Sequence, residues 1–92
     1  METFYVIQSE YVCNGVTFNR TRRNIKSLEQ ANAVFDEVLE NMKYNNNDII
    51  EDTENYVIEE SNRKGKRYFS CYYKYQSSLS NFSVEMWSET LE

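Results

Sequence analysis

The spacing of apolar and polar residues changes twice along the chain, and each change marks an element. Residues 3–13 (TFYVIQSEYVC) are dense in aromatic and β-branched side chains, and Asn14-Gly15 follows. That composition favours a strand, and the Asn-Gly pair favours a type I′ turn because both residues tolerate positive φ. The pattern predicts a hairpin whose second arm occupies residues 16–23, alternation placing Val16, Phe18, Arg20 and Arg22 on one face. The period then lengthens. Leu28, Ala31, Val34, Phe35, Val38, Leu39 and Met42 recur at steps of three and four and form one apolar stripe, while Glu29, Asp36, Glu37 and Glu40 fall mostly off it. Ser27 and Gln30 stand at capping-box spacing. An amphipathic helix of about 17 residues is therefore expected to start there and to end at Asn45-Asn46-Asn47, where Asn competes for backbone hydrogen bonds.

Residues 48–54 read as a short acidic connection, residues 56–60 as a third strand, and residues 61–67, with Gly65 and four basic side chains, as a hairpin turn. Alternation then returns. The fourth strand, residues 68–75, separates Phe69, Cys71, Tyr73 and Tyr75 from Tyr68, Ser70, Tyr72 and Lys74. After a break at residues 76–80, the fifth, residues 82–89, separates Phe82, Val84 and Met86 from Ser83, Glu85, Trp87 and Glu89. The expected fold class is α+β: a five-stranded antiparallel sheet with one helix packed on one face, in the order ββαβββ and in a single domain. Helix and strands of these lengths each span about 25 Å, so the helix should cover one face along its length. The reverse face is left open and carries Tyr68, Tyr72 and Trp87, the best expected contact surface.

Composition narrows the chemistry. Ninety-two residues support one core, and eight Tyr and five Phe must carry much of its burial against a strongly negative mean hydropathy. There is no His, so Cys-His nucleophiles, Ser-His-Asp triads and His-ligated zinc are excluded within this chain. Phosphate-cradling loops need clustered glycines, and Gly15 and Gly65 are far apart. Glu59 and Glu60 are strand neighbours that point to opposite faces and cannot share a substrate. No catalysis and no cofactor are expected. No metal is expected either, because the acidic run at residues 48–54 lacks the glycine and the twelve-residue layout of an EF-hand. Cys13 and Cys71 sit beside aromatic or β-branched neighbours and read as small buried hydrophobes, with a disulfide or reactive thiol as the alternative. The chain shows neither a secretory-type N-terminal pattern nor an apolar run near the ~20 residues a membrane span needs, so a cytoplasmic protein is expected.

Ten Lys and Arg stand against fifteen Asp and Glu, a net charge of −5. This argues against a general nucleic-acid coat protein. Eight of the basic residues form two clusters, Arg20, Arg22, Arg23 and Lys26, then Arg63, Lys64, Lys66 and Arg67. The element order brings both to one end of the molecule, and it sends Asp36, Glu37, Glu40, Asp48, Glu51, Asp52 and Glu54 toward the other. The basic end reads either as ordinary strand-terminal chemistry or as an RNA or single-stranded DNA contact with Tyr stacking. The acidic stretch reads either as a solvated connection and strand edge or as a surface that a basic groove grips.

The small size, the Asn- and Tyr-rich composition without Pro or His, and the run Asp48-Ile49-Ile50-Glu51-Asp52-Thr53-Glu54 resemble, in general character, the small acidic inhibitors of bacteriophages and mobile elements, the anti-CRISPR proteins among them. No motif of one such family is matched, so no residue role is carried over. The resemblance implies a stoichiometric protein that occupies the nucleic-acid path or a mobile element of a defence effector, acting in the host cell cytoplasm if phage-encoded. On this reading Glu51, Asp52, Glu54, Glu59 and Glu60 meet Arg and Lys of a larger, basic nucleic-acid-processing partner, and Tyr68, Tyr72 and Trp87 supply desolvated anchors. Direct nucleic-acid binding at residues 20–26 and 63–67 is the second expectation. A structural or homo-oligomeric subunit, assembled through the open face or a strand edge, is the third.

Overall fold

The structure is a computed structural model that describes residues 2–17 and 20–91. It is α+β, with a mainly antiparallel sheet and one main helix. The elements are β1 (Glu2–Cys13), β2 (Val16–Thr17), β3 (Thr21–Ile25), α1 (Leu28–Asn45), α2 (Asn47–Glu51), β4 (Tyr56–Arg63), β5 (Lys66–Tyr73) and β6 (Ser80–Leu91). Six strands make five rungs, because β2 and β3 both pair with β1, and the order across the sheet is β2/β3, β1, β6, β5, β4. Sequence neighbours are thus sheet neighbours within each hairpin, and the last strand inserts between the two hairpins.

Asn14 and Gly15 adopt φ of 53° and 76°, the type I′ turn, and close the pair Cys13↔Val16. The second arm departs from the expected single strand. Val12 faces Thr17, but Ser9 faces Thr21, so the outer arm holds one more residue than β1 across that interval. One inserted residue reverses alternation. Val16 pairs with Cys13, on the helix side, whereas Arg22 pairs with Gln8, on the reverse side, so the two do not share a face. Phe18, placed with them by alternation, lies outside the described residues, as does Asn19.

Helix α1 begins as its spacing predicts: the Ser27 hydroxyl accepts from the Gln30 backbone N–H at 3.3 Å. It ends at Asn46, whose side chain and backbone N–H both donate to the Met42 carbonyl, at 2.9 and 3.2 Å. The chain then turns a second time. Where a short acidic connection is expected over residues 48–54, Asn47–Glu51 form α2, whose Ile49 and Ile50 pack against the core. A helix this short has little intrinsic stability, so the packing of these two partly buried side chains helps to hold it.

Ala31 and Phe35 of α1 are buried against Ile7, Phe69, Cys71, Phe82, Val84 and Met86, the inward residues of β1, β5 and β6. Leu28, Val34, Val38, Leu39 and Met42 complete the stripe at partial exposure. Cys71 is a free, fully buried thiol whose pKa is raised by burial, and Cys13 is free and half-buried. Three further corrections concern length. Strands β1 and β6 run twelve residues each, about 40 Å, and outreach an eighteen-residue helix of about 27 Å. The second hairpin turn narrows to Lys64-Gly65, because β4 continues through Ser61, Asn62 and Arg63 on the sheet edge, where polar residues cost little. Strand β5 ends at Tyr73, leaving Lys74 and Tyr75 outside the ladder. No helix among the described residues is long and apolar enough to cross a membrane.

Candidate functional site

The pairing registers fix which side chains share the face opposite α1. One transverse row reads Arg22, Gln8, Glu85, Tyr68, Ser61 from edge to edge. The next reads Glu10, Ser83, Ser70, Glu59, and the one after it Thr17, Val12, Asn81, Tyr72, Val57. Small serines at the centre of the middle row leave a shallow depression of about 300 Å³, lined by Gln8, Glu10, Tyr68, Ser70, Ser83 and Glu85. A second depression of about 570 Å³ adjoins it toward the β4–β5 turn, lined by Lys64, Lys66, Tyr68, Glu85, Trp87 and Ser88 among others. Tyr68 and Glu85 line both, so they divide a carboxylate-and-hydroxyl hollow from a lysine-bearing one.

The polar groups here are held in place. Tyr72 donates its hydroxyl to Glu59 at 2.9 Å, and this bond, with the neighbouring carboxylate charge, raises the Tyr72 pKa above its usual value of 10.0. The Trp87 indole N–H donates to Glu89 at 3.1 Å, and the Arg22 guanidinium sits 5.8 Å from the Trp87 ring centre while reaching Glu89 at 3.7 Å. Trp87 also faces Val6, which is fully buried although it lies on this face. Trp87 is therefore half-committed to sheltering the sheet, whereas Tyr68 is 38% exposed.

The eight residues expected to bind a protein fall in three places. Tyr68, Tyr72, Trp87 and Glu59 share the open face. Glu60 faces the helix side of β4. Glu51, Asp52 and Glu54 lie at α2 and the turn after it, where Asn47 donates to Glu51 at 3.3 Å and Asn55 donates to both Asp52 oxygens at 3.0 and 3.2 Å. In their stead the face gains Glu10 and Glu85. Alternation already sets Glu85 beside Trp87, but Glu10 joins only through the β1–β6 register.

The basic clusters do occupy the same half of the strands, but on opposite edges of the sheet. Half of their members are paired inside the chain: Arg20 with Glu10 at 3.0 Å, Arg22 with Glu89, Lys26 with Glu2 at 3.7 Å, and Arg67 with Asp36 at 2.7 Å. Arg67 is a packing residue: its guanidinium lies 4.3 Å from the Phe35 ring centre and donates to Asn32, and its side chain is only 13% exposed. Arg23, Arg63, Lys64 and Lys66 make no ion pair among the described residues. Nor do these residues hold any cluster of three or more Cys, Asp or Glu side chains arranged for a metal ion.

No protein-family model matches the chain, and neither a curated protein nor a solved structure is similar to it.

Proposed function

We propose that this is a non-enzymatic protein-binding module whose uncovered sheet face blocks a larger, basic, nucleic-acid-processing partner. The observation that carries the reading is the transverse register that gathers Glu10, Glu85, Glu59, Tyr68 and Tyr72 around the Ser70–Ser83 hollow, on the face opposite α1. Five rungs at about 4.8 Å and the length of the long strands give this face roughly the 800 Å² per partner of an ordinary protein interface. Partly exposed tyrosines give large, rigid contact area, and the carboxylates among them steer an Arg- or Lys-rich surface into register. The resemblance to phage-borne inhibitors agrees with such a stoichiometric role. Nucleic acid is the less favoured ligand, since carboxylates ring the central hollow and half of the clustered cations are ion-paired in place.

The test is quantitative capture from host lysate with three forms of the protein. Wild type retains a nucleic-acid-processing protein. The variant Glu10→Lys/Glu85→Lys/Tyr68→Ala loses it, at a cost of about 2 kcal/mol or more for the anchor alone. The variant Glu51→Lys/Asp52→Lys/Glu54→Lys keeps it. The reverse order of losses, or oligonucleotide binding that falls steeply with salt, defeats the proposal.

A further inference from the structure

Strand β4 is an eight-residue sheet edge protected by the side-chain charges of Glu59, Glu60 and Arg63 rather than by the shape of its backbone. Its register with β5 runs unbroken from Tyr56↔Tyr73 to Arg63↔Lys66, so no bulge twists it away, and the chain has no proline. Its main neighbours are β5 and, at its lower end, α2, while α1 packs chiefly on β1 and β6. Ile58 therefore remains 40% exposed although it faces the helix side.

Which backbone groups point outward follows from one bond. The Lys74 N–H donates to the Asn55 carbonyl at 2.7 Å, which makes Asn55 a residue bonded toward β5. Bonding alternates along an antiparallel strand, so Val57, Glu59, Ser61 and Arg63 also bond inward, and Ile58, Glu60 and Asn62 present N–H and C=O to the outside.

We infer that a second copy of the chain pairs with this edge, antiparallel, about a two-fold axis at Ser61. In that register Glu60 and Asn62 exchange backbone bonds with Asn62 and Glu60 of the other copy, and Glu59 stands opposite Arg63 twice over, on the open face. Both partners suit the pairing. Arg63 makes no ion pair among the described residues, and Glu59 is already fixed by the Tyr72 hydroxyl through one oxygen, leaving the other to accept. Ile58 comes opposite Lys64, whose aliphatic stem covers it. Moving the axis to Glu60 sets carboxylate against carboxylate, and moving it to Asn62 loses both Glu59–Arg63 pairs. The chosen axis runs perpendicular to the sheet, so the two helices lie on one side and the two open faces join. The pairing takes Glu59 from the rim of the proposed docking face, while the residues that line the Ser70–Ser83 hollow stay outside it.

Sedimentation across a concentration series tests it, with Trp87 fluorescence and circular dichroism confirming that each variant is folded. Wild type should rise from 11.1 kDa toward twice that mass. Arg63→Glu and Glu59→Arg, which each create two repulsive pairs, should weaken the dimer at least about tenfold, and the combined charge swap should restore it. In a Cys13→Ser background, oxidation should cross-link Ser61→Cys and spare Asn62→Cys. A wild type that stays monomeric at every concentration, or a folded charge swap no stronger than its parent single variants, overturns the inference.

Discussion

The two faces of the sheet are built from the same strands, yet they hold different kinds of residue. On the helix side, Phe69, Cys71, Phe82, Val84 and Met86 are buried under Phe35 and Ala31, and stability resides there. On the reverse side, Val6 and Val12 alone are buried among the described residues, and most of the remaining positions carry polar or charged side chains and partly exposed rings. Alternation lets a strand separate the two tasks residue by residue, so a substitution on one face should leave the other's task untouched.

The largest test of that separation is Phe82→Ala beside Tyr68→Ala. A chain of this length has about 5–14 kcal/mol of stability in all, and emptying the Phe82 site should remove about 3–5 of it. Tyr68→Ala should cost less than about 1 kcal/mol in the same urea titration while weakening partner capture. Equal losses would mean that the open face is structural.

A middle-sized effect is expected at Arg67, a basic residue that the helix side has absorbed. Arg67→Ala should cost about 2 kcal/mol, through the lost bonds to Asp36 and Asn32 and the lost cover of Phe35. Arg67→Met should recover much of this, because it keeps the packing on Phe35, although the exposed Asp36 and the part-buried Asn32 oxygen both lose their donor. If Met is no better than Ala, the ion pair matters more than the stack.

The smallest effect sets one tyrosine from each face against the other. Tyr11, on the helix side, has its pKa raised chiefly by burial, and Tyr72, on the open side, chiefly by the bond to Glu59. In both cases folding favours the protonated phenol. The stabilisation is complete below the usual tyrosine pKa near 10.0 and fades as pH rises through the higher folded value. Glu59→Gln should bring the Tyr72 titration down and leave Tyr11 unmoved, as read by ring chemical shifts.

Local physics made much of this legible in the sequence. The Asn14-Gly15 turn, the Ser27 cap, the apolar stripe of α1 and the alternation in residues 68–73 and 82–89 each depend on a few neighbouring residues, and each stands as read. What escaped depends on partners far away in the chain. The extra residue between Thr17 and Thr21 shows only against the β1 register, and α2 exists because Ile49 and Ile50 find a core to enter. The same division runs through the candidate site. Alternation alone places Tyr68, Tyr72 and Trp87 on one face, and the registers agree. Glu10 needed a strand seventy residues away to bring it there, and Glu51, Asp52 and Glu54 turned out to belong to a different surface.

The placement of β6 carries a consequence for how the chain is made. All twelve residues of β1 pair with β6, from Glu2↔Leu91 to Cys13↔Ser80, and β6 is also the sole bridge to β5. Of the six strands it is the last to leave the ribosome. Until then the two hairpins lack the rung that joins them, so the decisive closure spans nearly the whole sequence and should make folding slow for so small a molecule.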